Sequence, residues 1–293
     1  MNGSTGSKWI RRPGGCAVAL AAAGLLIAGC AQQPAAPPSP AAPPAPAQAA
    51  AAPAKPAATA PTPSQTIDPG ILETLDRMGS YLRTLQSFEL KTNSDSDVIL
   101  DNDQMAQFSR WATMKVRRPN GLRADIRDDS GDRKILYFNG KTATLFDPDN
   151  KFYATVDAPP TLAEMAKVLS ERYGIELPVA DLFDWDSNRI DAKAIKSADF
   201  LGYAEVDGSM TTHFALRQEG VDWQIWVERG ASPLPRKLVI TSTTEAARPQ
   251  HSVLLRWNLA PKFGAGDFEF KPPPGAHRIV IRTTEGKVEA PGN

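Results

Sequence analysis

The sequence predicts a mainly β domain of the α+β kind: a strongly curved antiparallel sheet or incomplete β-barrel covered by helices. Two observations carry the fold and a third adds an export signal. Two amphipathic stretches are bracketed by helix-capping residues, and between and after them run short β-rich segments separated by hairpin turn chemistry. Ahead of them lie a basic leader, an apolar run and a long Pro/Ala tract.

Lys8, Arg11 and Arg12 precede an apolar run from Cys16 to Ala28. At about 13 residues this run suits a signal-peptide core and falls short of the roughly 18–20 needed to cross a bilayer as a helix. Ile27-Ala28-Gly29-Cys30 resembles the lipobox cut by bacterial lipoprotein signal peptidase, so residues 1–29 are expected to be removed and Cys30 to be lipidated. If the leader is an ordinary secretory signal, Cys30 is incidental and export alone stands. Cys16 falls in the removed segment, so the mature chain holds no disulfide and must rely on a hydrophobic core. Ala31 stands where, in well-studied Gram-negative lipoproteins, an aspartate retains the protein in the inner membrane. That comparison implies an outer-membrane anchor facing the periplasm.

Residues 30–67 read as the lipidated cysteine and its tether, for 31–66 are almost wholly Ala, Pro, Gln, Ser and Thr with Lys55 as the one charge. Such a segment buries too little apolar surface to offset backbone ordering. In polyproline II its roughly 36 residues reach about 110 Å, although a spacer of no particular length reads the same way. Residues 1–67 contain four bases and no acid; removing those four from 33 leaves 29 Lys+Arg against 33 Asp+Glu in residues 68–293. A mildly acidic body lacks the footprint of a nucleic-acid binder.

The domain is expected over 68–293. Asp68 as N-cap and Pro69 at the first position open a helix carrying Ile71, Leu72, Leu75, Met78, Tyr81, Leu82 and Leu85. After Ser87 come β-rich runs parted by Arg118-Pro119-Asn120-Gly121, Asp128 to Asp132, Asn139-Gly140 and Asp147-Pro148-Asp149-Asn150, an antiparallel meander with Asn139-Gly140 as its sharpest two-residue turn. Thr161 and Glu164 form a capping box for a helix with Leu162, Met165, Ala166, Val168, Leu169 and Tyr173, stopped by Gly174. Leu177 to Phe183 suggests a second helix or turn beside it. Strands resume at Leu201–Val206, Thr211–Gln218, Val221–Glu228, Arg236–Thr243, Ser252–Leu259, Phe268–Phe270 and Arg278–Thr283. Alternation puts Trp223, Ile225 and Val227 on one face, while Trp226 breaks the polarity of the other.

Three local patterns resemble the LolA/LolB superfamily of lipoprotein carriers and receptors: Val116-Arg117-Arg118-Pro119-Asn120, Gly140-Lys141-Thr142 leading to Phe146-Asp147-Pro148, and Asp267-Phe268-Glu269-Phe270-Lys271-Pro272-Pro273-Pro274-Gly275. More closely, Phe152 to Pro159 and Glu171 to Pro178 resemble a family of predicted periplasmic proteins, DUF2092. The resemblance implies a half-barrel whose concave apolar face, lidded by helices, accepts acyl chains. Met114, Leu122, Phe138, Leu145, Met165, Trp223 and Ile225 are the expected cavity positions, and Arg118 matches the carriers' arginine that contacts the lid. The plain alternative for Arg118 is a surface arginine beside a turn. Where carriers set large aromatics this chain has Leu122, Ala124 and Ile126, and its anchor fits the lipid-anchored receptor better than the diffusing shuttle.

Catalytic and metal chemistry finds little footing. His213, His251 and His277 stand apart without companions at ligand spacing, and hydrolysis would require His213 or His251 to meet a carboxylate in space. The groups Asp95, Asp97, Asp101, Asp103 and Asp128, Asp129, Asp132 lack the calcium-loop pattern and read as solvated turns. Asp184 and Asp186 flanking Trp185 read as loop caps, and no nucleophile elbow or phosphate loop occurs. Trp111, Phe138, Phe146, Phe152, Trp223 and Trp257 are expected inside, as core or as cavity lining. The expected function is therefore non-catalytic, without cofactor or metal. It is either an anchored protein binding a lipid, acyl chain or lipoprotein, or a tethered module contacting an envelope protein through Trp226 or the loop Phe183–Asp186.

Overall fold

The computed structural model describes residues 67–180, 194–264 and 266–287; the leader, Cys30, the tether and the 183–186 loop lie outside them. The described residues open with α1 (Pro69–Thr84), where the Asp68 carboxylate accepts the Gly70 N–H at 2.8 Å and Pro69 forgoes a donor that would have no partner. A first meander follows: β1 (Ser87–Ile99), β2 (Met105–Arg117), β3 (Gly121–Asp128), β4 (Arg133–Phe138), β5 (Thr142–Asp147) and β6 (Phe152–Asp157). After α2 (Leu162–Tyr173) a second meander comprises β7 (Ser197–Val206), β8 (Ser209–Gln218), β9 (Val221–Glu228), β10 (Pro235–Ser242) and β11 (Gln250–Asn258).

The meanders join where β11 pairs antiparallel with β1, Leu90 opposite Trp257 and Ser96 opposite His251. This makes one twelve-stranded open sheet, ordered β12-β6-β5-β4-β3-β2-β1-β11-β10-β9-β8-β7. The two residues of β12 (His277–Arg278) lie parallel to β6. Both helices bury their apolar stripes on one face, where Ile71, Leu75, Met78 and Leu82 of α1 and Leu162, Met165 and Leu169 of α2 join Phe88, Leu90, Met114, Val116, Leu122 and Phe138 in a single cluster. The expected curved sheet covered by helices is the architecture found.

Several local expectations change. Phe268–Phe270 is no strand: the Pro-rich stretch after it cannot supply a donor ladder, and the segment lies across the outer face of the first meander. There Phe268 is buried beneath the Arg117 guanidinium at 4.5 Å, and Phe270 packs on Tyr137, Phe146 and Tyr153 at 5.4, 5.3 and 4.9 Å. The Asp267 carboxylate accepts from Lys115 Nζ at 2.7 Å. The strand expected at Arg278–Thr283 shrinks to β12. Leu177 is buried, yet 174–177 are irregular and 178–180 form a turn. Asp95 and Asp97 belong to β1 rather than to a turn, accepting from Ser109 Oγ and from the Gln250 N–H.

Trp111 and Phe152, expected inside, are 43 % and 42 % exposed: Trp111 points to the outer face, whereas Phe152 shares the inner face with Val156 but stands at the first position of β6, its ring 6.1 Å from His277. Trp226, expected as an exposed contact, is 9 % exposed: its ring stacks on His213 at 3.9 Å and lies under Lys237 Nζ at 4.8 Å. That stack, with Val206 and Val239, forms a second, outer apolar cluster and explains the broken polarity of β9. The β4–β5 turn is centred one residue later than expected, since Phe138 faces Ala143 and the Asn139 N–H bonds to Thr142 O; the Asn139 side chain accepts from the N–H groups of Lys141 and Thr142.

Gly140 in that turn has φ +85°, and a Cβ there would lie 2.8 Å from Asn120 Cβ. Gly208, at φ +78°, has nothing within 4 Å of the same point. Gly208→Ala is expected to cost roughly 1–2 kcal/mol for conformation alone. Gly140→Ala must cost more, the excess reporting the Asn120 contact; urea denaturation of both variants measures it.

Candidate functional site: the helix-covered concave face

The helix α2 is built as a lid. Thr161 Oγ1 accepts the Glu164 N–H at 3.3 Å and donates to the Glu164 carboxylate at 2.7 Å, and Gly174 ends the helix at φ +67°. Its first turn is tied to the rim through the Leu162 N–H, which donates to Pro119 O at 2.9 Å. Its last turn is held by Thr284, whose N–H donates to Arg172 O at 2.8 Å and whose hydroxyl donates to Glu171 O at 3.1 Å. Arg118, half-buried and adjacent to Pro119, therefore sits in the turn that receives the lid. Its backbone N–H is fixed to Gln86 O at 2.8 Å.

Beneath the lid the register brings the seven expected cavity positions into one apolar cluster. Met114, Leu122, Phe138 and Met165 are wholly buried and Ile225 nearly so, whereas Leu145 and Trp223 are half-buried at its margin.

Along the concave face the character changes in steps set by the β2–β1–β11 pairing. Met114, Leu90 and Trp257 form an apolar row; the next is Ala112, Thr92, Leu255; then come Arg110, Ser94, Val253 and finally Phe108, Ser96, His251. Thr92 is 1 % exposed, and among the described residues neither its Oγ1 nor the buried Nε1 of Trp223 has a hydrogen-bond partner. Buried polar groups left unsatisfied cost stability and mark places where water or ligand is accommodated. Sequence patterning singled out Trp223 and His251 but not Thr92, Ser94 and Ser96, whose place at every second position of a strand is the signal that would have found them.

Among the described residues nothing assembles a catalytic group of the kind expected of a hydrolase. The hydrogen-bond partners of the two paired histidines are neutral: His213 Nε2 with Gln224 Oε1 at 3.0 Å, His251 Nδ1 with Ser96 Oγ at 2.8 Å. Among the described residues no three His, Cys, Asp or Glu side chains gather as a metal site. Burial, aided by Arg110, holds the His251 imidazole below its ordinary pKa, and burial does the same to His213.

The fold and site define a helix-lidded open sheet with an apolar concave face. The chain belongs to the DUF2092 family of predicted periplasmic proteins, whose model matches residues 72–282. No curated protein sequence matches it. Among solved structures it is similar to the lipoprotein LppX of Mycobacterium tuberculosis, at 13 % identity and TM-score 0.43 over 67 % of this chain and 98 % of that one. LprF of Mycobacterium bovis matches at 11 % identity and TM-score 0.42 over 72 % and 99 % of the two chains. A LolA superfamily protein of Nitrosomonas europaea matches at 11 % and 0.28 over 68 % and 96 %.

Because folding lowers both histidine pKa values, the fold favours neutral rings: that stability is fully present above the unfolded value of 6.5 and is lost as pH falls through the folded values. The melting temperature is expected to drop between pH 7 and 5, and His251→Gln to flatten the slope, in scans of both proteins.

Proposed function

We propose that the protein is an anchored, non-catalytic periplasmic binder of an apolar chain, taken up between the sheet and its helices. In this reading residues 1–29 direct export, Cys30 carries the lipid that fixes the protein to the outer membrane, and 30–67 tether the domain. The chain's partners are then that membrane and the acyl chain of a lipid or lipoprotein. One observation supports it above the others: an apolar concave face, continuous from Phe138 across to Ile225, receives the apolar stripes of two amphipathic helices. Met114, Leu122, Phe138, Leu145, Met165, Trp223 and Ile225 line the groove once the lid moves, and Arg118 stands at the hinge of that movement.

Magnitudes set the ligand's size. The large side chains α2 buries are Leu162, Met165 and Leu169. Lifting them into water costs roughly 5–9 kcal/mol, and a methylene returns about 0.8 kcal/mol on burial. A chain must therefore bring about 6–11 methylenes before binding becomes net favourable, which selects long acyl chains over short ones. The unsatisfied Trp223 Nε1 offers one polar contact to the ligand.

The full mature chain carrying Cys30→Ser is expected to copurify with lipid seen by mass spectrometry, and to bind fluorescent fatty acids with affinity rising from C8 to C16. A lipid-free protein that binds no chain length overturns the proposal. A tethered module contacting an envelope protein is the second reading, favoured by the exposed Phe200, Leu201 and Tyr203 on the edge strand β7.

A further inference from the structure

The outer face of β2, β3 and β4, opposite the helices, carries a charge arrangement that the fold alone does not require. The pairing sets Lys115 directly opposite Arg123 and, two rows along, Arg127 directly opposite Arg133. Like charges facing each other across strands destabilise a sheet. Asp125 lies in the row between them, and Arg133 grips it with two hydrogen bonds, Nε to Oδ1 at 2.9 Å and Nη2 to Oδ2 at 2.5 Å. Lys115 is engaged by Asp267 at 2.7 Å, and Arg123 lies over the Tyr137 ring at 5.3 Å. Arg127 is exposed and has no hydrogen bond or ion pair among the described residues.

Beside Arg127 on the neighbouring strand stands Trp111, its register partner, 43 % exposed with no ring contact among the described residues. Asn93 of β1 flanks Trp111 on the other side. Trp111, Thr113, Lys115, Arg123, Asp125 and Arg127 line one groove. Lys91 and Glu89 continue the Thr113 and Lys115 rows on β1 and pair with each other at 3.7 Å. Beyond Trp111 the next row holds Asp95 and Asp129, both bonded to Ser109, which closes that end to an anion.

An exposed indole on a rigid strand, an unpaired guanidinium alongside it, and a rim of hydroxyl and amide groups form a defined combination. The C–H face of a sugar ring stacks on an aromatic face, while a guanidinium takes a planar anion through two parallel hydrogen bonds. A bilayer fits poorly, because the groove offers one large apolar side chain among charges. A nucleic acid fits poorly with a body that is acidic overall. We propose that this groove binds an anionic saccharide, its ring on Trp111 and its carboxylate or phosphate on Arg127. The site is on the face opposite the acyl-chain groove and does not depend on it.

Isothermal titration of the mature chain carrying Cys30→Ser tests this with trigalacturonate, neutral maltotriose, glucose 6-phosphate and inorganic phosphate. A charged saccharide is expected to bind at least tenfold tighter than maltotriose, and Trp111→Ala and Arg127→Gln each to weaken it at least tenfold. Preference between trigalacturonate and glucose 6-phosphate tells carboxylate from phosphate. Arg127→Gln should leave the melting temperature unchanged or higher, since it removes a like-charge pair, and should leave fatty-acid binding untouched. The inference is overturned if neither charged sugar binds, if maltotriose or inorganic phosphate binds as well as they do, or if Trp111→Ala binds like the parent.

Discussion

The pairing of β1 with β11 is the interaction on which the rest of the structure depends. Each meander by itself is a sheet with one apolar face and too little to cover it. Joined through Leu90–Trp257 and the pairs that follow, the two faces become one concavity into which both helices fit. β1 is central for a second reason. It passes from Phe88 and Leu90 under the helices to Ser94 and Ser96 beyond them, so the same strand ends the apolar region and begins the polar one.

The lid is held by polar ends and an apolar middle. Backbone hydrogen bonds to Pro119 and from Thr284 fix the two ends of α2, and they are individually modest once exchange with water is counted. The burial of Leu162, Met165 and Leu169 holds the helix on the sheet more strongly. A helix attached this way is held at both ends while its middle contributes to the core. The turn bearing Arg118 and Pro119 receives the first of those hydrogen bonds.

The outer face is occupied as well. The segment around Phe268 and Phe270 covers the outer side of the first meander with aromatic contacts and the Asp267–Lys115 ion pair, and the Trp226 stack covers part of the second. Between the covered areas lies the groove of Trp111 and Arg127, two residues that neither burial nor an ion pair among the described residues accounts for. Large aromatics here sit on both sides of the sheet, so aromatic content alone could not say which side forms the core.

Periodicity and capping by themselves determined a great deal. Asp68-Pro69, Thr161 with Glu164, and Gly174 placed both helices, because caps act within one turn of chain. Alternation placed Ile225 inside, since a strand's faces are set by a period of two. What needed tertiary structure was every feature made by distant segments: Leu90 against Trp257, Phe270 against Tyr153, His213 over Trp226, Arg127 opposite Arg133. Trp111 and Trp226 have similar local sequence contexts, yet one is exposed and the other buried, because exposure on a sheet's outer face depends on what else crosses that face. No local rule carries that information; only the register and the path of the chain do.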